Sequence, residues 1–139
     1  MAGFLALGND QYIGTYKSTG EVENGAFVEL DHAAKTGSLA AAGAVDVYFV
    51  ANELDYIEEE AIDTIDFRVK ADKFLRAHKP QAGEILVTTV IAEGLAEGDE
   101  VAVGAGGQVV KTPVDGTAQF VVKELTGEYG VPTARLLAL

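Results

Sequence analysis

The sequence offers few residues that could perform nucleophilic chemistry. A serine or threonine nucleophile needs a base beside it, and the two histidines, His32 and His78, are the candidates for that base. Neither Ser18 nor Ser38 stands in the Gly-x-Ser-x-Gly pattern of a nucleophile turn. Both histidines fall at the ends of predicted strands, where we expect them to be exposed. We therefore predict no catalytic residue, and an enzyme is the least favoured class of function.

A glycine-rich run, Gly104-Ala-Gly-Gly107, has the composition of a phosphate-binding loop. It lacks the Lys-Ser or Lys-Thr pair that such a loop needs, and it joins two predicted strands instead of opening a helix. A turn between two antiparallel strands is the preferred interpretation.

Seven of the 22 acidic residues stand in residues 53–66, and three of them, Glu58, Glu59 and Glu60, are consecutive. A carboxylate-rich loop is able to supply several oxygen ligands to calcium. This run lacks the glycine that the twelve-residue calcium loop needs at its sharp turn. We predict a solvated acidic excursion loop, although a short amphipathic helix competes with it, and we predict no metal site and no cofactor.

Half of the ten cations follow within twelve residues: Arg68, Lys70, Lys73, Arg76 and Lys79. The common interpretation of such a block is a solvated strand face, with ion pairs inside the monomer worth under about 1 kcal/mol each. The alternative is docking, in which this basic strip faces the acidic loop of a neighbouring copy or an acidic partner. We treat the strip and the three consecutive glutamates as candidate interface residues.

The first residues of the chain are too apolar for a free tail. Five apolar residues stand there: Phe4, Leu5, Leu7, Tyr12 and Ile13. Because termini are usually disordered unless they are tied down, we predict that residues 1–15 form an extended N-terminal arm. This arm either closes the domain's own sheet or adds to the edge of a neighbouring copy, and its apolar residues are interface candidates. Residues 16–139 are predicted to form a single β-rich domain.

The composition excludes several partners. A formal charge of −12 argues against binding a nucleic-acid backbone or an anionic membrane surface. No apolar stretch approaches the length that spans a bilayer. The chain has no cysteine, so a disulfide framework and a thiolate metal site are both impossible. We expect synthesis and folding in the cytoplasm.

Short Val-rich and Ile-rich runs alternate with glycine-containing turns along the chain, a pattern typical of many strands. Residues 36–43, which are small and rich in alanine, are expected to form a loop or a single helical turn. The most clearly patterned strands are predicted at residues 25–30, 45–50, 84–91, 118–123 and 132–139. Some nine or ten strands of this kind predict a mainly β fold, a small single-domain β-barrel or β-sandwich.

One part of the chain has a recognisable order of features. A Gly-Asp turn at Gly98 and Asp99 leads into an alternating apolar strand, the glycine turn at residues 104–107 follows, and two further strands lie at residues 119–124 and 130–137. This order resembles small head decoration, or cement, proteins of tailed bacteriophages. Residues 48–53, 66–69 and 83–89 fit the same likeness, which spans residues 25–139.

The resemblance implies a structural virion protein that binds the outside of an assembled capsid and secures neighbouring capsomers. Its partners would be the major capsid protein and further copies of itself, a trimer being favoured over a dimer. It would be made in the host cytoplasm and end on the capsid exterior, and it implies no catalytic residues. Two alternatives stay open, another structural component of a phage head or tail and a β-barrel domain that binds a small ligand.

Overall fold

The computed structural model describes residues 12–51, 68–127 and 131–139. The fold is mainly β, with 44% of the described residues in strands. In chain order the described strands are β1 (Tyr12–Ile13), β2 (Lys17–Ser18), β3 (Val22–Glu23), β4 (Phe27–Asp31), β5 (Thr36–Leu39), β6 (Tyr48–Val50), β7 (Arg68–Val69), β8 (Ala77–His78), β9 (Ile85–Thr88), β10 (Glu100–Val103), β11 (Val109–Lys111), β12 (Phe120–Thr126) and β13 (Thr133–Ala138).

Most of the strands belong to two sheets. The first sheet has the order β1-β8-β6-β4-β5-β2, and the second has the order β11-β10-β12-β13-β9. A short ladder of β3 and β7 stands beside them. The two sheets do not close into a barrel, so the barrel alternative is wrong, and the arrangement is compatible with a small sandwich-like domain.

Aromatic rings join the two sheets. Phe27 of β4 lies opposite Phe49 of β6 in the first sheet, with the ring centroids 5.5 Å apart. The Phe27 ring also lies 5.3 Å from the ring of Phe120 in the second sheet. All three side chains are buried, together with Leu136 and Val101 of the second sheet. Full burial of one such ring stabilises the fold by about 1.5–3 kcal/mol.

A second core lies on the opposite face of the first sheet. Successive side chains of a strand point to opposite faces, so Tyr48 and Val50 of β6 point away from Phe49. They pack with a separate group of buried side chains: Ile13, Tyr16, Val22, Ala26, Val28, Val69, Leu75 and Ala77. The central strand β6 is therefore apolar at every position because it is covered on both faces.

Strand β5 corrects the expectation of a loop at residues 36–43. Thr36–Leu39 pairs with β4, Leu39 lying opposite Val28 and Gly37 opposite Leu30. A Cβ atom at Gly37 would lie 2.6 Å from Cδ1 of Leu75. The glycine of this segment thus lies directly beneath the Leu75 side chain that packs over the strand, and it is not a sign of a loop.

The predicted glycine turn is confirmed. Strands β10 and β11 pair antiparallel, and a turn of 3-10 helix at Ala105–Gly107 joins them. Gly107 has a φ of +73°, and a Cβ atom there would overlap the carbonyl oxygen of Phe27. The turn therefore packs directly against the first sheet, and only glycine fits at this position.

Candidate functional site

Two chain segments, residues 12–18 and 72–78, run side by side in the first sheet and include β1 and β2, the two end strands of its order. We call these two segments the edge ribbon. At one end Tyr12 lies opposite His78, and Ile13 lies opposite Ala77. At the other end Leu75 N–H donates to the Tyr16 carbonyl at 2.8 Å. Ser18 N–H donates to the Lys73 carbonyl at 2.9 Å, and Asp72 N–H donates to the Ser18 carbonyl at 2.8 Å. These bonds fix the register of the ribbon over its whole length.

The edge ribbon has one buried face and one exposed face. Ile13, Tyr16, Leu75 and Ala77 point into the second core. The residues between them point outward, and we call this set the basic-aromatic face: Tyr12, Lys17, Phe74, Arg76 and His78. The side chain of Tyr12 is 51% exposed and that of Phe74 is 55% exposed. Exposed aromatic residues beside an arginine have the composition of an interface centre, not that of an ordinary solvated strand.

Ring contacts hold the basic-aromatic face in place. The centroids of the Tyr12 and His78 rings lie 5.0 Å apart, and the Lys17 ammonium lies 5.5 Å from the centroid of the Phe74 ring. A cation–π contact such as that of Lys17 with Phe74 is worth about 0.5–1 kcal/mol at an exposed position. The large side chains are thus partly ordered before any partner arrives, which lowers the entropy that docking would cost.

The structure divides the five cations of the basic strip. Arg76 lies on the basic-aromatic face, and Lys73 is exposed on the same segment of the ribbon. Lys70 is exposed in the turn before it. Arg68 is in β7, in register with Glu23 of β3. The strip is therefore not one continuous face, and two of its cations, Lys73 and Arg76, are exposed on one segment of the ribbon.

Lys79 is used inside the monomer. Its ammonium forms an ion pair with Asp46, and it lies 5.1 Å from the centroid of the Tyr48 ring. These contacts place Lys79 over the first sheet.

The predicted interface residues at the N-terminus are separated as well. Tyr12 is exposed on the basic-aromatic face, whereas Ile13 is buried in the second core. Phe4, Leu5 and Leu7 of the predicted arm lie outside the described residues, as do Glu58, Glu59 and Glu60 of the predicted acidic loop.

Sequence reasoning missed three members of the basic-aromatic face: Lys17, Phe74 and His78. The alternation of Phe74, Arg76 and His78 with buried Leu75 and Ala77 was a visible signal of one outward face. The position of Lys17 carried no local signal, because it depends on the bridge that pairs it with Phe74.

Both histidines are exposed, as expected. Nδ1 of His32 lies 2.6 Å from the hydroxyl of the buried Tyr16, and the Lys35 ammonium lies 5.3 Å from the centroid of the same tyrosine ring. The hydroxyl of Ser18 is buried and donates to the carbonyl of Gly20. Within the described ranges, no three His, Asp or Glu side chains are grouped so that they could hold a metal ion.

A cleft of about 420 Å³ opens on the second sheet. Its apolar lining includes Ile91, Leu95, Leu125, Val131 and Pro132. The hydroxyl of Thr126, another lining residue, is buried without a hydrogen-bond partner in the part of the chain that the structure describes. The volume falls within the range of about 300–1,000 Å³ that is usual for ligand pockets.

Comparison of the chain with models of protein families, with curated proteins and with solved structures finds no match. In the described ranges no helix is both long enough and apolar enough to cross a membrane.

Proposed function

We propose that this chain is a structural virion protein that binds the outer surface of an assembled phage capsid and stabilises the contacts between its capsomers. The observation that carries the proposal is the basic-aromatic face. Cations and exposed aromatic rings are concentrated there in a chain whose formal charge is −12. The order of features in residues 25–139, which resembles phage cement proteins, supports the same function.

The charges of the chain set how docking would proceed. The acidic remainder repels an acidic shell surface, while the basic-aromatic face attracts it, so the chain approaches in one orientation. Phe74 and Tyr12 then supply apolar contact area, and Arg76 supplies positive charge beside them. The partner surface is therefore an acidic patch with an apolar centre on the major capsid protein.

Stabilisation of the shell follows from mass action. A protein that binds the assembled state and not the dissociated one favours assembly by RT ln(1 + [L]/Kd), which is about 2.7 kcal/mol per site at a hundredfold excess over Kd. We propose that the chain acts as a homo-oligomer, since several linked docking faces raise the overall affinity for a repeating surface.

A substitution at Phe74 tests the docking face. Phe74→Ala removes a ring that is 55% exposed, and we expect it to weaken binding to capsids that lack this protein by at least about tenfold, since apolar anchors commonly cost more than 1.4 kcal/mol. Val114→Ala is the matched control, because Val114 is fully exposed and lies in the loop between β11 and β12 of the second sheet. Equal binding by the two variants would contradict this docking face.

The cleft on the second sheet favours a second candidate function, binding of a small apolar ligand. Ala92→Trp would fill the cleft from a half-buried lining position. An environment-sensitive apolar dye that binds the unmodified chain and not Ala92→Trp would support this function. A dye that binds neither protein would count against it.

A further inference from the structure

Strand β9 stands at the end of the second sheet, and among the described residues no strand pairs with its outer side. Backbone groups of an antiparallel strand point alternately toward and away from its partner. Ala138 N–H donates to the Glu84 carbonyl at 2.8 Å, so the backbone groups of Leu86 and Thr88 also point toward β13. Those of Ile85 and Val87 point away, and they have no hydrogen-bond partner among the described residues.

The opposite edge of the same sheet is protected. Val109 of β11 donates to the Val90 carbonyl at 3.0 Å and accepts from Ala92 N–H at 2.8 Å, so residues 90–92 cover part of that edge. No proline or lysine stands between Glu84 and Thr89 to protect β9 in the usual way. The edge at β9 is therefore the side of this sheet at which another strand can be added.

An apolar row on the outer face of the second sheet ends at this edge. Val121 of β12 lies opposite Leu137 of β13, and Leu137 lies opposite Ile85 of β9. These three side chains point away from the buried core, and Ile85, the last in the row, is 50% exposed. All three residues of the row are uncharged, although the chain has a formal charge of −12.

We propose that two copies of this chain pair through β9, antiparallel, around a twofold axis at Ile85. Ile85 of each copy would donate to and accept from Ile85 of the second copy, and each Val87 N–H would donate to the carbonyl of Gly83 of the other copy. The two apolar rows then meet at the axis and form one row of six side chains across a sheet of ten strands. A twofold interface must be complementary to itself, and this edge meets that requirement.

The charges near the edge agree with a second copy as the occupant. Glu84, the acidic residue next to Ile85, comes opposite Leu86 of the second copy in this register, so the two Glu84 side chains are diagonal neighbours and are not directly opposed. In the neighbouring row across the sheet, Nε of Arg135 lies 3.5 Å from Oε2 of Glu124 in the same copy. The proposed register therefore places no two like charges directly opposite each other at this edge.

The contact goes beyond the proposed function and is separate from it. The β9 edge belongs to the second sheet, whereas the basic-aromatic face belongs to the edge ribbon of the first sheet. One surface pairs copies, and the other docks on the partner. A twofold contact predicts an even number of copies, whereas the resemblance to cement proteins favours a trimer. The number of copies, calculated from the mass of the free oligomer, distinguishes these two predictions.

A single cysteine tests the pairing, because the natural chain has none. Opposed residues of a hydrogen-bonded antiparallel pair have Cα atoms about 5.5 Å apart, within the range of about 4.4–6.8 Å that a disulfide spans. Under mild oxidation Ile85→Cys should form covalent dimers at least about tenfold faster than Val114→Cys, a fully exposed control that reacts only by collision. Equal rates for the two variants would overturn the proposal.

A second pair of variants tests the same contact without a covalent cross-link. Ile85→Lys places two ammonium groups against each other at the axis, and light scattering should show half the mass of the unmodified oligomer. Ile85→Thr keeps a β-branched side chain and should keep the mass. An unchanged mass for Ile85→Lys, or an odd number of copies in the unmodified protein, would contradict the pairing. Shell binding by Ile85→Lys then reports on the proposed function independently, since that variant retains Phe74 and Arg76.

Discussion

The hydroxyl of Thr88 donates to the carbonyl of Gly25 across 2.7 Å, and the same oxygen accepts from Val90 N–H at 3.0 Å. Thr88 is in β9 of the second sheet, whereas Gly25 stands just before β4 of the first. The threonine is 2% exposed. One buried hydroxyl thus connects a strand of the second sheet to the start of β4 in the first.

Removing this hydroxyl should destabilise the fold. Thr88→Val has nearly the same shape but leaves the Gly25 carbonyl and the Val90 N–H without their partner, at about 1–3 kcal/mol for each buried group. Urea unfolding measures the loss. Thr88→Ser is the matched control, because it keeps the hydroxyl and loses one methyl group, at about 1 kcal/mol. If the serine variant were the less stable of the two, the connection would not matter to stability.

The two glycines at the turn between β10 and β11 predict a clear contrast. Both have positive φ, +74° at Gly106 and +73° at Gly107, so alanine at either position costs about 1–2 kcal/mol in backbone strain. A Cβ atom at Gly106 meets open space, whereas one at Gly107 overlaps the backbone of Phe27. Gly107→Ala should therefore be much less stable than Gly106→Ala in urea unfolding. Equal losses would mean that the turn does not pack on the first sheet.

A charge reversal on the edge ribbon should weaken docking and spare the fold. We expect Arg76→Glu to reduce affinity for empty shells by at least about tenfold, because it adds repulsion where the partner is acidic. Binding by the unmodified chain should also fall as salt is raised. Lys123→Glu is the matched control, since Lys123 is exposed on the second sheet and its reversal changes the net charge equally. If both variants lost affinity to the same extent, net charge and not this face would govern binding.

Much of the fold could be predicted because local patterns agree with tertiary packing. The strand predicted at residues 25–30 overlaps β4, in which Val28 lies in the second core with Leu30 packed against it, whereas Phe27 lies in the core between the two sheets. The strands at residues 45–50, 84–91, 118–123 and 132–139 are confirmed in substance, since β6, β9, β12 and β13 overlap them. Period-two patterns of this kind need no knowledge of distant residues.

The parts that sequence could not predict depend on distant contacts. Strands β2 and β3 have two residues each, too few for a period-two pattern to show in the sequence. Their backbone partners are Lys35, Lys73 and the strand β7. The same is true of the site, where Phe74 and Lys17 meet only because residues 12–18 pair with residues 72–78. The boundary predicted at residue 15, between an arm and a domain, stays a prediction.

The most direct test of the proposed function is co-sedimentation of the purified chain with intact capsids that lack it, compared with the same mass of dissociated capsid protein. A light-scattering mass of the free chain, taken at the same concentration, gives the stoichiometry. We expect saturable binding to the shells, with an oligomer as the bound species and little binding to dissociated subunits. Binding to neither form, or equal binding to both, would contradict the account.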